Sequence, residues 1–476
     1  MKPLTRAVVF LLLAMAGFAA EPAKPNVLFI LTEDQGSHLG FVGTPGVRTP
    51  HMDALAASGV YFSNAFVAYP VCSASKAALL TGRCNHINGI LNNTVNYHKP
   101  AAQLSPAERA NVLFQRNRIR DGVPTLTGRL RDAGYYQGVT HKLHVVPPAK
   151  FPYDEFLGDP RGGEAAAFIQ RAGEAGKPWL LLYNIPNSHR PYPNSDLKPI
   201  RVKPAEVKLP AFLPDTPLVR QDWAEYLAGI EEADALVGEA LAALRASGQE
   251  EKTVVIFMGD HGPCFQRGKM MLNDLGLRVP FAIRAPGMAS GVRSDALVSE
   301  LDFTPTVLDL LGLAPIGKSE GLTLRPVLAG KAGAKIHDHI FAEITHQPFA
   351  PDGGMQERSV FDGRFHLIVR QGEGKPRQVN ADLKDAKPWG NRTYAETVRV
   401  KEQFPAAYRF LTWMDPQSLG GNPPRFELYE TAADPDEMEN LADDPAHLAD
   451  RQRLLAALRQ WGIDTGDAAM KWDVAP

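Results

Sequence analysis

The chain has 476 residues, a formal net charge of -2 and three cysteines. A nearly balanced charge gives no reason to expect nucleic acid or an anionic membrane as partner. Three cysteines do not make a disulfide framework, although Cys84 with Cys264 is a candidate bridge.

The N-terminus opens with Lys2 and Arg6, an apolar run over 8–15 and small residues over 16–20, the pattern of an export signal spanning 1–20. That run is too short to cross a membrane, which takes roughly twenty apolar residues. No later stretch is long and uncharged enough either. The expected mature chain is periplasmic or secreted, with no membrane span. Its length admits one large domain, 21–350, and a smaller one, 351–476.

Four short apolar runs read as buried parallel strands: 26–31, 135–140, 179–184 and 253–258. Helical patterns at 52–58, 126–133, 164–175 and 221–247 alternate with them. The expected fold is therefore α/β, a large, mainly parallel sheet sandwiched by helices. After about residue 350 the pattern changes. Residues 357–369 read as a hairpin around an Asp362-Gly363 turn, and 426–429 as a further strand. An amphipathic helix over 448–461 ends at Gly462, and the polar stretch 371–391 reads as a surface loop. Together these form a small α+β subdomain.

In open α/β sheets ligands bind beyond the carboxyl ends of the strands. Here the first strand is followed by Glu33-Asp34, the second by Lys142 and His144, the third by His189, and the fourth by Asp260-His261. Any one of these has an ordinary structural explanation, such as a helix cap or a satisfied core histidine. Four coincident strand ends favour one shared polar site. Glu33, Asp34, Asp260 and His261 suit a divalent cation, Ca²⁺ or Mg²⁺ ahead of zinc because carboxylates dominate. Lys76, Lys142, Lys269, His144 and His189 suit the surroundings of a tetrahedral anion, with histidines as proton donors.

The run Cys72-Ser73-Ala74-Ser75-Lys76-Ala77-Ala78-Leu79-Leu80-Thr81-Gly82-Arg83 reads as a helix with Cys72 at its start. There the unpaired N–H groups and the helix dipole favour an anion. A buried apolar cysteine is the alternative reading of that dodecamer alone.

The dodecamer resembles the signature of the type I, formylglycine-dependent sulfatases: Cys-x-Pro-Ser-Arg, three residues, then Leu-Thr-Gly. The likeness covers nearly the whole mature chain. Pro25 to Gly36 is similar to the family's opening strand and acidic pair, Thr49-Pro50-His51-Met52 to its next helix, and Lys142-Leu143-His144 to its Lys-x-His. Gly259-Asp260-His261-Gly262 resembles its second metal motif and Gly268-Lys269 its late basic segment. Asn85-His86-Ile87-Asn88-Gly89 and the 427–441 stretch resemble the heparan N-sulfatase (sulfamidase) branch most.

The resemblance implies an alkaline-phosphatase-like fold and a hydrolase acting on sulfated glycans, matured by a formylglycine-generating enzyme. Cys72, oxidised to formylglycine, would be the nucleophile. One Ca²⁺ would be held by Glu33, Asp34, Asp260 and His261 together with the modified Cys72. Lys142 and Lys269 would hold sulfate oxygens, His189 would protonate the leaving group, and His144 would assist return to the aldehyde. Three positions depart from the pattern. Ala74 and Lys76 stand where the signature has Pro and Arg, and Glu33 stands where Asp is usual. Lysine keeps the charge of arginine but not its planar fork. Phosphodiester or phosphonate-monoester hydrolysis on the same fold, and glycan binding without catalysis, are the competing readings.

Overall fold

The computed structural model describes residues 24–192, 200–331, 333–350, 353–379, 382 and 392–471. The expected export segment lies outside them. Twelve strands run in chain order: β1 (Asn26–Thr32), β2 (Val60–Phe66), β3 (Tyr136–Thr140), β4 (Glu155–Leu157), β5 (Trp179–Ile185) and β6 (Thr253–Gly259), then β7 (Phe281–Arg284), β8 (Val292–Ser299), β9 (Ile340–Thr345), β10 (Gln356–Phe361), β11 (Phe365–Gln371) and β12 (Phe426–Glu430).

The first eight form one sheet in the order β4-β3-β5-β1-β6-β7-β2-β8. Only β7 runs against its neighbours. The four strands expected from sequence lie side by side as β3-β5-β1-β6, all parallel. Both faces are covered, which is why they read as continuous apolar runs. Along β1, Val27, Phe29 and Leu31 enter the core on one face, and Leu28 and Ile30 the core on the other. The first face is packed by α2 (Cys72–Thr81), which follows α1 (Pro50–Ser58), through Ala74, Ala77 and Leu80. The second is packed by the helix Pro217–Ala246 through Tyr226, Leu227, Ile230 and Val237. That helix begins four residues earlier than its apolar pattern, because the Thr216 side chain caps the Val219 N–H and Pro217 occupies the first turn.

The remaining strands form an antiparallel sheet ordered β12-β11-β10-β9. Val360, Leu367, Val369 and Leu428 pack on Leu454 and Leu458 of the helix Leu448–Thr465. Ile340, Ala342, Ile344, Ile368 and Tyr429 turn the opposite way and join the main core. The small sheet is thus held between its own helix and the large sheet's domain, and the Asp362-Gly363 turn closes its hairpin with Gly363 at φ 94°.

Three expectations are corrected. The last helix continues through Gly462 and stops at Gly466, whose φ of 73° supplies the left-handed cap. The stretch 371–391 is not simply a surface loop: Gln371 ends β11, and Arg377 is buried against Glu357 at 2.8 Å. Residues 380–381 and 383–391 lie outside the described set. Cys84 and Cys264 do not pair; all three cysteines are free, and these two pack in separate apolar clusters.

The signature segment is fastened to β9 by one buried carboxylate. Glu343 accepts from the backbone N–H of Asn85 at 2.7 Å and of His86 at 3.1 Å, and pairs with His86 Nδ1 at 2.9 Å. Burial alone would raise Glu343, but His86 and Arg358 hold it down to about 2. Burial alone would lower His86, and Glu343 raises it above its ordinary 6.5. The carboxylate's contribution is present above 4.5 and lost as pH falls toward 2. The imidazolium's is complete below 6.5 and lost as pH rises through the raised pKa. His86→Gln is therefore expected to cost about 2 kcal/mol in the window between. In denaturant melts, the wild-type advantage should shrink steadily on the alkaline side; a difference independent of pH contradicts the pair.

Candidate active site

The polar residues after β1, β3, β5 and β6 meet at one end of the sheet, around Cys72 at the first position of α2. Glu33 and Asp34 follow β1 directly. Asp34 sits in the left-handed region at φ 52°, and its N–H donates to Asp260 Oδ1 at 2.8 Å. His144, after β3, is also left-handed at φ 51°, as is Met270 beside Lys269 at φ 66°. Non-glycine residues adopt this conformation at a cost, and they gather where surrounding structure imposes it, often at functional sites.

Three lysines neutralise the carboxylates. Lys76 lies one turn beyond Cys72 and bridges Glu33 Oε1 at 2.6 Å and Asp260 Oδ2 at 2.9 Å. Lys142 reaches the other oxygen of Glu33 at 2.5 Å. Lys269 holds both oxygens of Asp34 at 3.0 Å. Burial opposes the charge on every one of these groups, yet the lysines and the histidines His189 and His261 drive Glu33 and Asp34 well below the usual carboxylate range. Burial would lower Lys76 too, but Asp260 and Glu33 keep it charged.

Cys72 is 1% exposed, with Sγ 3.2 Å from His261 Nε2 and 3.8 Å from Asp34 Oδ1. Desolvation would raise its thiol; Lys142, Lys269 and His261 instead pull it down to about 5. The whole positive environment thus favours an anion at this atom. The approach to α2 is held by Glu300, which accepts from the Ala68 N–H and the Ser75 hydroxyl, each at 2.7 Å.

Two histidines stand near the lysines of the site. His189, a quarter exposed, sets Nδ1 against the Arg190 carbonyl at 2.5 Å and Nε2 3.2 Å from Lys269 Nζ. Burial is the largest influence and lowers its pKa, but Asp34 and a hydrogen bond to Cys72 together make the net shift upward. His144 sets Nε2 on the Thr94 carbonyl at 2.9 Å, while its Nδ1 is buried with no protein partner. Burial, Lys142 and Lys76 push His144 well down, so it is neutral, with Nε2–H donating and Nδ1 presenting a lone pair.

The donor set fits a divalent cation. Asp34, His261 and Cys72, and likewise Glu33, Asp260 and Cys72, place ligand atoms within 4.8 Å of one another. His261 Nε2 is 3.4 Å from Asp34 and 3.7 Å from Asp260. Burial would lower His261, but Asp260, Cys72 and Asp34 raise it to about 9, so it must shed a proton to act as a ligand. Carboxylate oxygens outnumber other donors, which suits a hard ion.

All ten residues singled out from the sequence are brought together. Two others were not. Ser188 donates to the Glu33 carbonyl at 2.6 Å, and Asp382 reaches Lys269 at 3.2 Å. The only sequence signal for Ser188 is its place next to His189, whereas Asp382 sits in a polar stretch with no motif to mark it.

Residues 25–313 match the sulfatase family. The chain is similar to an ulvan-active sulfatase of Formosa agariphila, 27% identical over 94% of this chain and 76% of that protein. It is also similar to human N-sulphoglucosamine sulphohydrolase, 28% identical over 95% of this chain and 92% of that enzyme. Among solved structures, the phosphonate monoester hydrolase of Agrobacterium radiobacter shares the fold, with a TM-score of 0.68 at 20% identity, covering 93% of this chain and 96% of that one. The family match spans every strand-end group from Glu33 to Lys269, and the chain belongs to the sulfatase family of sulfuric ester hydrolases.

Proposed function

We propose that this protein is an exported sulfatase that removes sulfate from sulfated glycans, as O-sulfate esters or N-sulfate groups. The observation that carries this reading is the set of Lys142, Lys269, His189 and His261 around Cys72 at the head of α2. The names of the two relatives, one ulvan-active and one acting on N-sulphoglucosamine, support a glycan substrate. Export rests on the 1–20 segment, and no helix among the described residues is long and apolar enough to cross a membrane.

Formylglycine made from Cys72 by a formylglycine-generating enzyme would supply an oxygen nucleophile, and Ca²⁺ held by Glu33, Asp34, Asp260 and His261 would supply concentrated positive charge. Lys142 and Lys269 bind the non-bridging sulfate oxygens and hold the sulfuryl group in place during the transfer. His189 delivers the proton at Nε2 to the departing oxygen or nitrogen. His144, neutral and with an unpaired Nδ1 lone pair, accepts a proton when the nucleophile is regenerated. Lys76 acts at one remove, fixing Glu33 and Asp260.

The test begins with mass spectrometry of the peptide containing Cys72, from protein made in a host with the maturation enzyme. An aldehyde is expected in place of the thiol, with turnover of an aryl sulfate exceeding that of an aryl phosphodiester and abolished by Cys72→Ala. An unmodified thiol in matured protein overturns the nucleophile. Preference for the phosphodiester overturns the substrate class.

A further inference from the structure

Asp382 lies outside the family match, yet it enters the site. Its Oδ2 is 3.2 Å from Lys269 Nζ and 3.7 Å from His189 Nε2, and a third of its side chain is exposed. It therefore borders both the cation assigned to the sulfate and the histidine assigned to the leaving group. The chain leading to it is pinned. Met355 N–H donates to the Pro376 carbonyl at 3.1 Å, Arg377 is buried on Glu357 at 2.8 Å and the Trp413 carbonyl at 2.6 Å, and the Gln378 side chain accepts from Asn92 at 2.5 Å.

We propose that Asp382 is a specificity residue that selects a leaving atom bearing a hydrogen, so that the site prefers N-sulfate to O-sulfate; this rests on the function proposed above. A carboxylate accepts hydrogen bonds, several at once, and donates none. The bridging oxygen of a sulfate ester carries only lone pairs, so Asp382 faces it acceptor to acceptor. The bridging nitrogen of an N-sulfate carries one hydrogen and gives Asp382 a charge-assisted hydrogen bond. As the S–N bond breaks, its electron pair goes to nitrogen, the sulfuryl group passes to the nucleophile oxygen, and nitrogen takes the proton from His189. The product is a primary amine. Once protonated by solvent, it is a cation beside Asp382, and the product end of the reaction is favoured as well.

The test compares wild type with Asp382→Asn and Asp382→Ala on two probes, glucosamine N-sulfate and N-acetylglucosamine 6-O-sulfate. In matured enzyme the ratio of kcat/KM, N-sulfate over O-sulfate, is expected to exceed one and to fall about 10- to 100-fold in D382N, the worth of one hydrogen bond to a charged group. Calorimetric binding of the same probes to Cys72→Ala protein, with and without D382N, reads the same ratio where no turnover is needed. An equal loss on both probes assigns Asp382 only to holding Lys269 and overturns the proposal. So does an unchanged ratio, or a wild-type protein that binds neither probe. Failure of the aldehyde at Cys72 would strike the proposed mechanism while leaving the binding ratio to decide the role of Asp382.

Discussion

Replacing His189 with alanine is expected to lower kcat on a sugar sulfate by about 10²- to 10⁴-fold, the range for a positioned general acid. On an aryl sulfate with an activated phenol the loss should be far smaller, because that leaving group departs without a proton. The contrast between substrates is the diagnostic. A residue that only bound sulfate would lower both reactions alike, since the sulfuryl group is common to them. The geometry motivates the asymmetry: His189 is a quarter exposed, with Nε2 beside Lys269, while Cys72 is buried against His261. His189 is the more exposed of the two and is free to meet the leaving group as it departs. Equal losses on the two substrates would remove His189 from the role of acid.

Lys76→Met should have the second large effect, on folding and activity together. The side chain is 1% exposed and its ammonium joins two carboxylates that are themselves buried. Methionine keeps most of the volume and leaves Glu33 with Lys142 alone and Asp260 without its lysine. Breaking a buried ion pair from one side costs about 3–5 kcal/mol. Displaced carboxylates should lower kcat by a further 10²- to 10³-fold, the scale of losing one preorganised electrostatic group. Denaturant midpoints and steady-state rates of Lys76→Met and Lys76→Arg separate the two. Arginine keeps the charge, so it should recover most of the stability; a Lys76→Met protein as stable as wild type would refute the bridge.

The strand ends were legible because a parallel strand covered on both faces is written as an apolar run, and the first polar residue after it marks the rim. That signal located Glu33, Asp34, Lys142, His144, His189, Asp260 and His261. Their convergence follows from β3, β5, β1 and β6 being adjacent. Lys269 carries no such mark, being ten residues past β6; only its type, a cation suited to an anion, and its likeness to the family's Gly-Lys pointed to it. The edge of the sheet was not legible. β8 alternates exposed and half-buried residues before turning inward, and β7 is only four residues long, too short for a period to emerge. The long helix started early because a cap, rather than an apolar stripe, sets its first turn. Gly462 misled for the converse reason: a helix tolerates an interior glycine for about 1 kcal/mol when its flanking turns are packed. Asp382 was invisible because its position depends on anchors, Arg377 and Gln378, whose partners lie in distant parts of the chain.

All ten residues of the helix that begins with Cys72 are buried, and its two flanks are tied to Glu300 and to Glu343. In the closed molecule no protein-sized catalyst can reach that sulfur. The proposed oxidation therefore belongs to the nascent chain, before the sheet and its covering helices come together. Timing during synthesis, rather than affinity for the finished enzyme, then sets the fraction of molecules that become active. A chain that folds too quickly would be well ordered, stable and permanently inert.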